Sequence, residues 1–178
     1  GLLLSLPVIW SSLLEYQKNR VLNLIDPYND PLGAGYHSIQ SMIAVGSGGL
    51  AGRGWSNGTQ TRLDFLPETT TDFIFAVFSE EFGFLGVICI LVLFVLIFYR
   101  CMWMASKMQD TFSRLLTAGL TVSLFTGVIV NIGMISGLLP IVGVPLPFIS
   151  YGGTSMVVSL ISMGIIMNLY SNKSLIAN

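Results

Sequence analysis

Residues 82–99 read FGFLGVICILVLFVLIFY, a run that contains no charged side chain. A transmembrane helix needs about 20 predominantly apolar residues, so this run predicts a membrane-spanning helix. A second uncharged stretch extends from Leu115 to Asn172. Together the two stretches predict an all-α, polytopic membrane protein.

The composition supports the same fold class. Of the 178 residues, 53% are hydrophobic and only 10% are charged, whereas a soluble domain has about 25% charged residues. The high apolar content excludes an intrinsically disordered chain. The net charge of −1 excludes a nucleic-acid binder that works by neutralising phosphates. The two cysteines, Cys89 and Cys101, are too few for a disulfide scaffold.

Four membrane helices are predicted from the apolar runs. They lie at residues 1–16, 73–99, 115–137 and 154–170. The first is short for a full span, and the chain does not begin with Met. We interpret it as a truncated helix of a longer protein.

Basic residues predict how these helices are oriented. The short segment 100–114 carries three Lys or Arg residues, and cytoplasmic loops are enriched in such residues. We therefore expect this segment and the tail 171–178 to be cytoplasmic. The long segment 17–72 and the segment 138–153 are then extracytoplasmic.

The long outer segment is too polar to span a membrane. Tyr36 to Val45 predict a short amphipathic helix at the interface. A glycine-rich run, GSGGLAGRGW, follows from Gly46 to Trp55. It is either a flexible, turn-rich loop or a backbone surface that approaches a ligand closely, because glycine has no side chain. Arg53 in this run would either bind a phosphate through its planar guanidinium group or anchor the loop at the interface.

Asp72 stands at the outer start of the second predicted helix. Asp is a favoured helix cap, which is one interpretation of this residue. At about 100° per residue, however, Asp72 shares a helix face with four small residues: Ala76, Ser79, Gly83 and Gly86. Small residues in membrane helices face other helices, and an ionisable group on such a face indicates a functional site. Glu80 and Glu81 lie on other faces, where we expect structural pairing, with a proton or ion relay as the alternative.

The third predicted helix leads into a proline-rich segment. A stripe of small residues on the helix predicts a packing seam: Gly119, Ser123, Thr126, Gly133 and Gly137. Asn131 lies off this stripe. Residues 138–153 contain three prolines, which forbid a regular helix, yet they are too apolar to lie in water. Non-helical backbone at membrane depth is tolerated where protein covers it, so we predict a re-entrant loop.

A metal site is not expected at His37, the only histidine. No second His or Cys lies at a spacing typical of metal ligands.

Motifs in the outer segment and in the proline-rich segment resemble one known family. The outer segment contains DPLGAGYH at 30–37, GSGG at 46–49, GRGW at 52–55, FLPE at 65–68 and TDFIF at 71–75. The later motif comprises Asn131, Pro140, Gly143, Pro145, Pro147 and SYGGTS at 150–155. These residues are similar to the signature of the RodA/FtsW/SpoVE proteins, the shape, elongation, division and sporulation (SEDS) family. The resemblance covers nearly the whole chain and is closer to the rod-shape members than to the division members.

The resemblance implies a ten-helix SEDS bundle, of which this chain would supply about four helices. It implies an inverting peptidoglycan glycosyltransferase that polymerises lipid II during cell elongation and rod-shape maintenance, in the bacterial cytoplasmic membrane. The family's essential aspartate falls on Asp72. The matching motifs also imply substrate contacts at Arg53, Gln60, Glu68, Thr71, Ser150, Gly152 and Gly153. Thr70 departs from the family, in which many members carry His, and this puts a proton relay at that position in doubt.

The resemblance also implies partners. These are lipid II and the nascent glycan strand, a class B penicillin-binding transpeptidase, other membrane proteins of the elongation complex, and membrane lipid. Mg²⁺ or Mn²⁺ is implied as a cofactor. Two other functions stay open: a transporter that flips lipid II, and a scaffold that positions the transpeptidase. We expect the isolated fragment to be inactive, because the other half of the cavity would lie outside it.

Overall fold

The computed structural model describes residues 13–29, 34–55, 57–58 and 71–171. These residues form five α-helices and one short 3-10 turn, and no strand occurs among them. The helices are α1 (Glu15–Ile25), α2 (Ala34–Ser47), α3 (Ile74–Ser106), α4 (Thr111–Ile135) and α5 (Gly153–Ser171), and the 3-10 turn is Pro27–Asn29. The predicted all-α fold is confirmed.

Three helices, α3, α4 and α5, are long and apolar enough to cross a membrane. They coincide with the predicted spans at 73–99, 115–137 and 154–170. The predicted helix at 1–16 lies outside the described residues except for its last four.

The predicted cytoplasmic loop 100–114 is much shorter in the structure. Because α3 continues to Ser106 and α4 begins at Thr111, only residues 107–110 connect them. The start of α4 is fixed by Asp110, whose Oδ2 accepts hydrogen bonds from the backbone N–H and the hydroxyl of Ser113, both at 2.9 Å. This is the N-cap interaction that Asp favours.

The segment 17–72, predicted as one long loop, contains α1 and α2. Its extracytoplasmic position stays a prediction. The predicted helix from Tyr36 to Val45 lies inside α2, which buries a face of small side chains at Ser38, Ser41 and Ala44. Helix α2 is therefore packed against the bundle on this face.

Helix α3 consists of two helical segments that meet at Gly83. Gly83 has φ 65° and ψ −163°, a region of backbone space that is essentially restricted to glycine. The break interrupts the helical hydrogen bonds. Residues 48–54, called the glycine loop below, replace them with four backbone hydrogen bonds: Arg53 N to Glu80 O (3.0 Å), Gly54 N to Glu81 O (3.0 Å), Phe84 N to Gly49 O (2.9 Å) and Leu85 N to Leu50 O (3.2 Å).

Glycine is required on both sides of this contact. A Cβ atom on Gly48 would overlap the carbonyl oxygen of Ser79, and one on Gly52 would overlap that of Glu81. A Cβ atom on Gly83 would overlap the backbone nitrogen of Gly52. Ser79 and Gly83 of the predicted stripe therefore contact the glycine loop. Ala76 lies in the main core instead, and Gly86 packs beside Phe78 and Phe82 of its own helix.

Helix α4 ends in a Schellman motif. Gly137 has φ 72°, Leu138 N donates to Gly133 O at 2.8 Å, and Gly137 N donates to Met134 O at 3.3 Å. These bonds satisfy the last carbonyl groups of the helix. The helix thus ends at Ile135, two residues before the predicted end.

The predicted packing seam of α4 is only partly correct within the described chain. Gly133 is buried against Leu139 and Gly137 contacts Met42, but Gly119, Ser123 and Thr126 are exposed. The buried face instead carries Thr117, Thr121, Val128 and Asn131. The reason is that α3 and the proline-rich segment lie on that face, where Asn131 finds hydrogen-bond partners.

The main core lies where α2, α3, α4 and the proline-rich segment meet. Its buried members are Ala44, Phe73, Phe75, Ala76, Phe94, Val128, Met134, Ile135 and Leu146. A smaller cluster of Cys101, Met104 and Ile166 joins α3 to α5. Because Phe73 belongs to the main core, the residue before it, Asp72, is fixed to the best-packed part of the described chain.

Candidate functional site

Asp72 lies in a turn that precedes α3. Residues 71–73 form this turn, and Phe73 occupies the N-cap position of the helix. The helix-cap interpretation of Asp72 therefore fails on position. The side chain of Asp72 is half-buried, so its carboxylate is not simply part of a solvated surface.

Asn131 holds the backbone of Asp72. Its side chain is fully buried, and its Nδ2 donates to the carbonyl oxygens of Asp72 (2.9 Å) and Val144 (2.7 Å). One amide nitrogen carries two N–H groups, so both of its donors are used. The bond pair joins α4, the turn before α3 and the proline-rich segment at one point.

Ser150 holds the backbone of Thr71, the residue before Asp72, by a second side-chain hydrogen bond. Its hydroxyl donates to the carbonyl oxygen of Thr71 at 2.5 Å and accepts from the backbone N–H of Leu146 at 2.7 Å. Ser150 is buried as well. Two successive carbonyl groups, those of Thr71 and Asp72, are thus held by two buried side chains.

Residues 138–152, called the proline loop below, cover this turn. Gly143 has φ 73°, and a Cβ atom on it would lie 3.1 Å from Oδ2 of Asp72. The carboxylate therefore lies close against the loop backbone where no side chain intervenes. Pro147 packs over Gly127 of α4, and Phe148 has φ 66°, a rare conformation for a bulky residue. Packing thus holds the loop in a shape that its own residues do not prefer.

Arg53 belongs to the glycine loop, which contacts α3 further along the helix than the position of Asp72. The side chain of Arg53 is exposed, and its Nε donates to Ser47 O at 3.3 Å. Its backbone is bonded to Glu80, which is eight residues beyond Asp72 and therefore about 12 Å along the helix axis. Arg53, in the glycine loop, and Asp72, in the turn before α3, are thus attached to α3 at different depths.

Of the remaining predicted substrate residues, the structure describes Gly152 and Gly153, whereas Gln60 and Glu68 lie outside the described residues. Gly152 and Gly153 form the start of α5, where Gly152 O accepts from Met156 N at 3.0 Å. The predicted roles of all these residues in substrate binding stay predictions.

The sequence pattern assigns Asn131 no role beyond its place in the motif, because helical phase puts it off the stripe of small residues. The available signal was an amide side chain in an otherwise apolar helix, because a polar group inside a membrane needs a partner.

The described residues contain no group of three or more His, Cys, Asp or Glu side chains arranged to hold a metal ion. His37 packs beside Phe73, with ring centroids 6.3 Å apart. The described part of the chain therefore offers no complete ligand set for Mg²⁺ or Mn²⁺, which prefer several oxygen ligands.

Comparisons with known proteins agree with the motifs. Residues 1–175 match the family model FTSW_RODA_SPOVE, described as cell cycle protein. The peptidoglycan glycosyltransferase MrdB of Escherichia coli strain K12 is 51% identical over 173 residues, which cover 97% of this chain and 47% of MrdB.

Two solved structures are similar to the fold. One, from work on how a peptidoglycan synthase complex coordinates polymerization and crosslinking, has a TM-score of 0.75 and 36% identity, and covers 97% of this chain and 47% of the other. A crystal structure of a variant of the Thermus thermophilus rod shape determining protein RodA has a TM-score of 0.57 and 25% identity, and covers 79% of this chain and 49% of the other.

The chain spans about half the length of the relatives it matches. Its three membrane-capable helices and its relatives identify it as a membrane protein. The match extends over both motif regions, the outer segment and the proline loop. The chain therefore belongs to the FtsW/RodA/SpoVE (SEDS) family of cell cycle proteins.

Proposed function

We propose that the intact protein is a peptidoglycan glycosyltransferase that polymerises lipid II into glycan strands during cell elongation. The observation that carries this proposal is the fixed position of Asp72, whose turn is held on two successive carbonyl groups by buried side chains. An ionisable side chain at the end of a membrane helix, fixed in this way, is suited to acid–base chemistry. The 51% identity to a protein named peptidoglycan glycosyltransferase supports the reaction class.

In the proposed reaction Asp72 is the general base. Its carboxylate takes the proton from the 4-hydroxyl of the GlcNAc of an incoming lipid II. The oxygen then bonds to the anomeric carbon of the growing strand's terminal MurNAc. The bond from that carbon to undecaprenyl diphosphate breaks, the diphosphate leaves with the electron pair, and the configuration inverts. A positioned base contributes about 10²- to 10⁴-fold to such a step.

Arg53 is proposed to offset the charge of the leaving diphosphate. Its guanidinium group is planar and always charged, and it suits phosphate oxygens. The four backbone hydrogen bonds of the glycine loop fix the depth of this residue along α3. A divalent cation, Mg²⁺ or Mn²⁺, would neutralise the same diphosphate when bound. No step depends on it here, because the described residues provide no group of three candidate ligands.

The proposal extends to location and partners. We place the protein in the bacterial cytoplasmic membrane with its C-terminus in the cytoplasm, on the basis of the basic residues around the connection of α3 and α4, which are Arg100, Lys107 and Arg114. A class B penicillin-binding transpeptidase is the proposed protein partner, supported by similarity to a chain from a peptidoglycan synthase complex.

One observation also suits a lipid II transporter. Broken helices occur in transporters, where unwound backbone lines the substrate site, and α3 is broken at Gly83. In this chain, however, the glycine loop occupies the break with four backbone hydrogen bonds. Glycosyl transfer is therefore the better-supported function, and transport is kept as an outcome of the test.

The test is polymerisation of labelled lipid II by the intact protein in detergent. We expect Asp72→Asn to lower the rate by about 10²- to 10⁴-fold, because it removes the base and keeps the side-chain shape. Asp110→Asn is the matched control, since Asp110 is exposed in the loop before α4 and Asn is an equally good cap. An Asp72→Asn protein as active as the control would refute the assignment of the base. Movement of lipid II across vesicles without any polymer from the wild type would favour the transporter instead.

A further inference from the structure

Asn131 has a hydrogen-bonding pattern that packing alone does not explain. Its side chain has no exposed surface, and its Nδ2 donates to two carbonyl groups that belong to residues 59 and 13 positions away in sequence. Its Oδ1 is buried and has no hydrogen-bond partner among the described residues. A buried acceptor without a partner is unfavourable, because it has lost its hydrogen bonds to water.

A leucine at this position would fill nearly the same space, but it would leave the carbonyl groups of Asp72 and Val144 without this donor. Removing one partner of a buried hydrogen bond leaves the other partner unsatisfied, which is unfavourable. The two donated bonds of Asn131 therefore do more than fill the helix interface. One bond fixes the carbonyl group of Asp72, and the other, from the same nitrogen, fixes the proline loop at the carbonyl group of Val144.

Fixing a carbonyl group also fixes the side chain beside it. The peptide unit is planar, so the orientation of each carbonyl sets the orientation of the whole plane. The planes on both sides of the Asp72 Cα atom are held, one by Ser150 through Thr71 O and the other by Asn131 through Asp72 O. The direction of the Cα–Cβ bond of Asp72 follows from these two planes.

We propose that Asn131 is a positioning residue for the Asp72 carboxylate, acting through the backbone carbonyl of Asp72 and assisted by Ser150. This inference rests on the proposed function of Asp72. Asn131 thereby holds the carboxylate beside the backbone of the proline loop at Gly143, where a Cβ atom would lie 3.1 Å from Oδ2 of Asp72. A misplacement of about 1 Å of a catalytic group lowers a rate by about 10²-fold.

The first arm of the test measures kinetics of lipid II polymerisation by the intact protein carrying Asn131→Ala. We expect kcat to fall about 10- to 100-fold while KM changes by less than about threefold, because the substrate contacts are kept. Thr121→Val is the matched control. Thr121 is buried on the same face of α4, its hydroxyl donates to Thr117 O at 2.7 Å, and its side chain also interacts with Cys101 of α3, away from Asp72 and the proline loop. The control should keep the wild-type kcat. Equal losses of kcat in both variants would reduce Asn131 to a packing residue and overturn the proposal.

A double-variant comparison tests whether Asn131 acts through Asp72. In an Asp72→Ala background, Asn131→Ala should cause no further loss of the residual rate, because the group it positions is gone. Two losses that multiply would overturn the proposal. If Asn131→Ala lowers the yield of folded protein, Asn131→Leu keeps nearly the same volume and removes the donors, and the same non-additivity is expected.

The second arm needs no activity, so it separates this inference from the proposed function. An Asp72→Cys protein without other reactive cysteines is modified with a charged methanethiosulfonate, with and without Asn131→Ala. Loss of the hydrogen bond from Asn131 to the carbonyl group of residue 72 should raise the modification rate of the introduced thiol by about 5-fold or more, since local opening governs access to a half-buried group. An unchanged rate would overturn the positioning role, even for a protein that polymerises nothing.

Discussion

The contact between the glycine loop and the break in α3 leads us to expect that Gly48→Ala lowers the stability of the protein. A Cβ atom at this position would overlap the carbonyl oxygen of Ser79, well inside the 3.4 Å at which ordinary contact begins. The nearest atoms are backbone, which cannot rotate away as a flexible side chain can. For Gly48→Ala the loop must therefore withdraw from α3 by on the order of 1 Å, enough to forfeit much of the attraction between packed atoms.

The magnitude follows from what the withdrawal breaks. Four backbone hydrogen bonds of 2.9–3.2 Å join the loop to α3, and each is worth about 0.5–1.5 kcal/mol net. If the loop strains instead of withdrawing, overpacking costs about 1–3 kcal/mol. Loss of all four bonds would lower the free energy of unfolding by about 2–6 kcal/mol, and strain alone by about 1–3 kcal/mol, so either route lowers Tm by several degrees.

The assay is thermal unfolding of the intact protein in detergent, with trypsin cleavage after Arg53 as the local readout. Gly46→Ala is the matched control, because it is the same change two residues away in α2 and a Cβ atom there meets nothing within 4 Å. Alanine in a helix is favoured over glycine by about 1 kcal/mol, so the control should keep or raise Tm. Gly48→Ala should lower Tm and speed cleavage. Equal Tm values for the two variants would refute the reasoning.

Two further predictions concern the proline loop and the start of α4. Leu146→Ala should lower the free energy of unfolding by about 2–5 kcal/mol, because the Leu146 side chain is 1% exposed and lies in the main core. Leu138→Ala should change Tm little in detergent, because the Leu138 side chain is 76% exposed. The backbone N–H and then the hydroxyl of Ser113 lower the pKa of Asp110. The stabilisation by ionised Asp110 is therefore fully present above the unfolded-state pKa of about 3.9. It is lost as pH falls through the lower pKa of the folded state. Asp110→Asn should therefore flatten the dependence of Tm on pH in that acid range.

Each of these two predictions has a clear contrary result. Similar Tm losses for the two leucine variants would mean that the proline loop is not anchored through Leu146. A pH dependence of Tm that is the same in wild type and Asp110→Asn would mean that the N-cap interaction with Ser113 does not contribute to folding.

The described membrane-capable helices could be predicted from the sequence because apolar run length is a local property. Residues 82–99 and 115–137 needed no knowledge of the rest of the chain. The stripe of small residues below Asp72 was also predictable from helical phase, and its members Ala76 and Ser79 are buried. Prediction failed at the ends of α3 and α4, because capping residues and not the apolar run set these ends. Helix α3 continues to Ser106, Asp110 caps the start of α4 at Thr111, and Gly137 follows its end at Ile135.

The partner of each glycine could not be predicted. The sequence indicates that residues 46–54 permit close approach, but it does not say to what. The break at Gly83 is invisible in a run that otherwise predicts a continuous helix. Its backbone partners lie more than 25 positions earlier in the chain, and only folding brings them together.

The sequence by itself therefore determined the fold class, the approximate spans, the family and the candidate base, because these follow from composition, periodicity and motif. Only the tertiary structure decided how the candidate site is held. The carbonyl groups of Thr71 and Asp72 are bonded by Ser150 and Asn131 from 79 and 59 positions away. Backbone carbonyl groups are the same in every residue, so no pattern of side chains along the chain can encode which of them a buried amide or hydroxyl will meet.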